Sequence, residues 1–195
     1  MQDATNLHDS IHDSLAQYEE EMFGKWDGTV DGTLAAKLTL NLLTRAPKTS
    51  RIAVNFDPQL IKLLKECKYF TLQKKAISKV AVDLYAQAEI YRVQTAQLTL
   101  IQNMYNEMLD KMLDVEKPLL KNDINAINKV LDRGLKQLVW NSSNPDKDGF
   151  IAEAHELITT AHKTLFQMKA NMEEVIAILN KWIATPPMTR ASNNK

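Results

Sequence analysis

Apolar residues recur at spacings of three and four over most of this chain, the period of a helix that buries one face. The longest stripe is Ile151, Ala154, Ile158, Ala161, Leu165, Met168, Met172, Val175, Leu179 and Trp182, which alternates three and four without a miss for over four heptads. A second stripe covers Ile77, Val80, Leu84, Tyr91, Leu98, Ile101, Tyr105, Met108, Met112 and Val115, with Gln87 and Gln94 as its polar interruptions, and reads as one long helix. A third, Leu120, Ile124, Ile127, Leu131, Leu135 and Leu138, begins near Pro118. Three long helices with short connections predict an antiparallel bundle over 75–185 whose stripes are its core. On this reading Leu165 and Met172 are core residues.

The first part of the chain is more broken. Residues 6–26 read as a helix with Leu7, Ile11, Leu15, Tyr18 and Met22 on one face, and Gly24, Gly28 and Gly32 then weaken its continuation. Leu42-Leu43-Thr-Arg and Arg51-Ile-Ala-Val54 flank the turn residues Pro47-Lys-Thr-Ser50, which predicts a small β-hairpin near 42–54. Asp57 then caps a helix whose first position is Pro58, with Phe56 placed to pack on Ile61 as a hydrophobic staple. The predicted fold is all-α: an elongated antiparallel helical bundle with that hairpin. Its divisions are a helical segment with the hairpin at 1–74, the three-helix bundle at 75–185, and a flexible end or linker at 186–195.

Composition narrows the function. Basic and acidic residues number 24 each, so net charge gives no reason to expect nucleic acid or a membrane surface as a partner. No apolar run approaches the roughly 20 residues that span a bilayer. The N-terminus MQDATNLHDS lacks the basic and apolar regions of a secretory signal. A lone cysteine, Cys67, excludes an internal disulfide and fits a reducing compartment.

Several stretches imitate chemistry. Asn144, Asp146 and Asp148 with Gly149 and Ile151 follow a calcium loop up to position 12, where His155 replaces the bidentate glutamate and supplies a nitrogen ill suited to a hard cation. The same residues make a helix start, with Asn144 as cap, Pro145 in the first helical position and two aspartates near the positive end of the dipole. His8 and His12 sit at i and i+4 beside Asp9, a faint echo of a zinc-protease helix with no third ligand. His155 and His162 flank the long stripe as boundary residues, and Cys67 lies on an apolar helix face with no partner that would activate it. No Glu-x-x-His spacing of the di-metal bundles is found at Glu153, which meets Glu156 three residues on. Lys62, Lys65, Lys68, Lys74, Lys75 and Lys79 read mainly as a solvated face. Trp140 closes an apolar helix before a polar loop, where an indole plugs a bundle end or anchors a partner.

The stretch LLTRAPKTSRIAVNFDPQLIKLLKECKYF resembles the N-terminal tail, or stem, of dynein heavy chains, most of all axonemal ones. The likeness continues through Leu84-Tyr85, Tyr105-Asn106, Val115-Glu116-Lys117-Pro118-Leu119-Leu120 and Gly134-Leu135-Lys-Gln-Leu138-Val-Trp140, so it spans roughly 15–160. Its most specific elements are Asn55-Phe56-Asp57-Pro58, Glu66-Cys67-Lys68-Tyr69 and Leu138-Val-Trp140; Cys67 and Ser78 depart from the more usual valine and proline. The resemblance implies a non-catalytic assembly segment without cofactor, working in the cytoskeleton of a cilium or flagellum axoneme. Implied partners are dynein intermediate chains, light chains and other heavy chains. The sequence agrees in lacking G-x-x-x-x-G-K-[ST], and so a phosphate-cradling loop. Asn55, Phe56, Asp57, Pro58, Glu66, Tyr69, Tyr105, Pro118 and Trp140 are then structural residues of the motif, and Trp140, Leu165, Met172 and Trp182 the candidate partner surface. Without the resemblance, the reading is a free-standing helical adaptor whose heptad helix recruits a coiled-coil partner.

Overall fold

The computed structural model describes residues 2–184, with side chains from residue 6 onward, so the end expected at 186–195 lies outside the described residues. The described elements are α1 (Gln2–Leu38), β1 (Leu43–Arg45), β2 (Ile52–Val54), α2 (Pro58–Leu72), α3 (Lys79–Ala86), α4 (Ala88–Lys111), α5 (Lys121–Lys136) and α6 (Asn144–Ala184). The fold is all-α with one small antiparallel hairpin, as the periodicity and turn residues predict.

Hairpin pairing runs Leu43↔Val54, Thr44↔Ala53 and Arg45↔Ile52, and the turn closes with Ala46 N–H on the Arg51 carbonyl at 2.8 Å. A two-stranded hairpin is marginal alone, and α4 completes this one. Asn106 exchanges two hydrogen bonds with the backbone of Ile52 (3.0 and 2.9 Å), and Gln102 accepts from Val54 N–H at 2.8 Å. At α2 the predicted cap is in place: the Asp57 carboxylate accepts from Gln59 N–H at 2.8 Å, and its other oxygen pairs with Lys37 at 2.6 Å.

Helices α4, α5 and α6 run up, down and up. Gln94 meets Asp148, Glu107 meets His162 and Glu116 meets Lys169, so α4 and α6 are parallel. Helix α5 runs antiparallel to both and packs on α6 and on β1, with Tyr105 bonded to Asn128 and Arg133 to Glu153. One buried cluster gathers residues from every element, including Leu34 of α1, Leu43, Ile52, Leu60, Leu84, Tyr105, Leu131 and Ile158.

Four sequence expectations are corrected. Helix α1 does not stop at Gly24–Gly32 but runs to Leu38, because Phe23 and Trp26 pack on Phe70 and Val30 and Leu34 are buried. That packing outweighs about 1 kcal/mol of propensity lost per glycine. The stripe from Ile77 to Val115 is two helices, not one: Ser78 caps α3 through Ala81 N–H, and Gln87 (φ −93°, ψ 2°) joins α3 to α4. The side chain that receives the first turn of α6 is Ser143, whose Oγ accepts from Asp146 N–H, not Asn144. Finally, the α6 stripe is core only through Leu165. Met172 is 44% exposed and Trp182 70% exposed, because no described element flanks α6 beyond the turn at 113–120.

Candidate functional site

Trp140 lies at the junction where the chain's distant parts are tied together. It is fully buried, its indole N–H donates to the Asn55 carbonyl at 2.7 Å, and its ring meets Phe56 edge-on at 4.8 Å and Tyr91 at 6.2 Å. Around it, the segment after α1 pairs with the segment after α5. Leu42 N–H donates to the Leu138 carbonyl, Trp140 N–H to Leu40 and Asn141 N–H to Leu38, at 3.0–3.2 Å. Asn41 adds a bond to the Leu135 carbonyl, and Asn55 one to the Asn41 carbonyl. Trp140 is therefore the plug, and its burial removes it from the partner surface proposed for it, as complete burial also removes Leu165.

Lys147, 1% exposed, also enters the junction: its ammonium donates to the Trp140 carbonyl at 2.9 Å and sits 4.9 Å from the centre of the Tyr91 ring. Burial pulls its ammonium below the ordinary lysine value, against the pull of Asp148. Gln94, read in the sequence as a polar interruption, is buried and donates to Asp148 at 2.8 Å. Gln94 keeps the register of Tyr91 and Leu98, and Lys147 lies one turn before Ile151, so periodicity puts both on buried faces while leaving their partners unspecified.

The remaining motif residues take ordinary structural positions. Glu66 accepts from the Trp26 indole at 3.0 Å, fixing α1 to α2. Tyr105 is buried and donates to Asn128, which also holds Arg45. Phe56 spends its ring on Trp140 and Tyr91 while sharing a groove with Ile61. Tyr69 is half exposed on α2, and Pro118 is exposed in the turn between α4 and α5.

Residues 144–155 are continuous helix rather than a cation-wrapping loop, with Asp146 held by Ser143 and Asp148 by Gln94. His8 and His12 are largely exposed beside their own neighbours Asp9 and Asp13. His155 and His162 lie seven residues apart on α6, about 10 Å along its axis and too far to share an ion; His162 faces Glu107 at 3.3 Å and stacks on Phe166. Cys67 is buried, and burial pushes its thiol up to about 11, with Glu66 adding to the shift, so it is not a poised thiolate. Lys75 is paired with Glu20 and lies over the Phe23 ring, so the basic run is not a continuous free patch. Among the described residues, no group of three or more His, Cys, Asp or Glu is placed to hold a metal, and no helix is long and apolar enough to cross a membrane.

What stands exposed is apolar helix surface. Leu7, Ile11, Leu15, Tyr18 and Met22 on the first half of α1 are 46–63% exposed. On the last part of α6, Met172, Val175, Ile176, Ile178, Leu179, Trp182 and Ile183 are 44–81% exposed, among only three charged residues, Glu173, Glu174 and Lys181. A helix apolar on most sides belongs inside a larger packed assembly.

These features define an all-α segment: a core tied at an aromatic junction, with exposed apolar faces on the first half of α1 and the last part of α6. The sequence matches the family model described as dynein heavy chain, N-terminal region 1, over residues 1–147, and the chain belongs to the dynein heavy chain family. It is 31% identical over 96% of its length to dynein axonemal heavy chain 17 of Mus musculus. It is 29% identical to the ciliary dynein beta chain of Tripneustes gratilla over 93% of its length, and 29% identical to the flagellar outer arm dynein beta chain of Chlamydomonas reinhardtii over 90%. The chain spans about 4% of the length of these relatives.

Proposed function

We propose that this chain is a non-catalytic assembly segment of an axonemal dynein heavy-chain tail, and that its projecting helix faces attach it to other dynein chains. Partners on this reading are intermediate chains, light chains and neighbouring heavy chains, and the setting is the cytoskeleton of a cilium or flagellum, in keeping with the ciliary and flagellar names of the relatives. The observation that carries the proposal is the pair of exposed apolar stripes on α1 and α6. Each large apolar side chain buried against a partner contributes about 1.5–3 kcal/mol, enough across either stripe to offset the cost of association.

The test is capture. Tagged wild-type chain and a Met172→Glu/Trp182→Glu variant are incubated with extract of ciliated cells, and the bound proteins are identified by mass spectrometry. Dynein intermediate or heavy chains recovered by wild type and lost by the variant support the proposal. A folded wild-type chain that recovers no dynein subunit overturns it.

A further inference from the structure

A third apolar surface includes no residue of either projecting stripe. Between α2 and α4 runs an open groove of about 570 Å³, walled by Phe56, Ile61 and Leu64 on one side and by Ala88, Ala96 and Thr99 on the other. From Ala88 to Thr99 it follows α4 for roughly 16 Å, about three helical turns. The small side chains of α4 let another backbone approach closely, while Ile61, 48% exposed, stands as an unfilled wall.

The occupant's shape follows from the backbone. Apart from Phe56, the groove's sides are helices whose N–H and C=O groups are paired along α2 and α4. An extended peptide would bring its own backbone groups to walls that offer none in return, whereas a helix arrives with them satisfied. The occupant's charge follows from the rim. Lys65 stands one turn beyond Ile61, and Lys68 one turn beyond Leu64, both exposed. On α2 only Glu66 opposes its three lysines, and that carboxylate is engaged by Trp26 and Lys62. Arg92 lines the opposite side, paired with Glu89.

We propose that the α2–α4 groove is a docking site for an amphipathic helix of another protein, with apolar anchors at i, i+4 and i+7 and acidic residues along its flanks. The site is independent of the attachments assigned to α1 and α6, and its test reads a different surface.

A fluorescent helical peptide with leucines at i, i+4 and i+7 and glutamate flanks is titrated with the whole chain, beside an isomer carrying lysine flanks. Fluorescence anisotropy should show the acidic peptide binding about tenfold or more tightly than the basic one. Ala96→Trp, an exposed position, should fill the groove and abolish binding with the melting temperature unchanged. Lys65→Glu/Lys68→Glu should reverse the preference between the peptides, which keeps the test decisive if the tryptophan variant folds poorly. Equal binding of the two peptides, no binding of the acidic one, or full binding by a folded Ala96→Trp chain would overturn the proposal. So would self-association of the wild-type chain that Ala96→Trp abolishes, since the groove would then belong to a second copy.

Discussion

The indole of Trp140 donates its N–H to the backbone carbonyl of Asn55 at 2.7 Å, joining a residue two positions before the α2 cap to the loop before α6. The bond closes the junction on which α1, the hairpin and the three-helix bundle converge, so its loss should be felt throughout the fold. Trp140→Phe keeps most of the ring and removes the donor, and should cost about 1–3 kcal/mol through the unpaired carbonyl. Trp140→Ala should cost about 3–5 kcal/mol. Urea melts followed by circular dichroism measure both.

Gly134 in α5 is required by close approach rather than by backbone conformation. A Cβ added there would lie 2.5 Å from Cζ of Phe150 and 3.2 Å from Leu43. Gly134→Ala should therefore destabilise by about 1–3 kcal/mol through overpacking, despite the better helix propensity of alanine. Phe150→Leu placed in the same chain should recover part of the loss, and a double-mutant cycle reads the coupling.

Leu165 and Met172 share one sequence stripe but not one environment. Leu165 is fully buried, and Leu165→Ala should cost about 2–5 kcal/mol. Met172→Ala and Trp182→Ala, on exposed surface, should stay within about 0.5 kcal/mol of wild type in the isolated chain. Thermal melts separate the two cases.

Glu116 gives the chain a predictable acid sensitivity. Its carboxylate accepts from Leu113 N–H at 2.8 Å and from Lys169 at 3.0 Å, and these bonds, the backbone one first, hold it below its ordinary value of 4.5. A lowered folded-state value means that stability is fully present above 4.5 and is lost as pH falls through the lower folded value. Melting temperatures of wild type and Glu116→Gln should differ near neutral pH and converge on acidification. A constant difference would show that Glu116 does not titrate in this way.

Local chemistry made part of this structure legible. The hairpin follows from Pro47–Ser50 between β-branched residues, and the start of α2 from Asp57-Pro58, because a turn and a cap are encoded within a few positions. The continuation of α1 past three glycines was not legible, since it depends on Phe70, far along the chain. Neither was the break at Gln87, where the stripe keeps its register from Leu84 to Tyr91 on both sides of the joint. Least legible was the point at which α6 leaves the core. A heptad stripe specifies a face to bury and not the chain that buries it, so Leu165 and Met172 look alike in sequence. Trp140 was legible only as a bundle-end plug or a partner anchor, and its burial and its bond to Asn55, set by tertiary structure, decide for the plug.

Backbone hydrogen exchange compares the isolated chain with the chain held in a complex captured from axonemal extract. If the exposed stripes bind other chains, residues 6–22 of α1 and 171–184 of α6 exchange rapidly in isolation and slowly in the complex, while the core around Trp140 is unchanged. Equal exchange of those two segments in both states would contradict such binding.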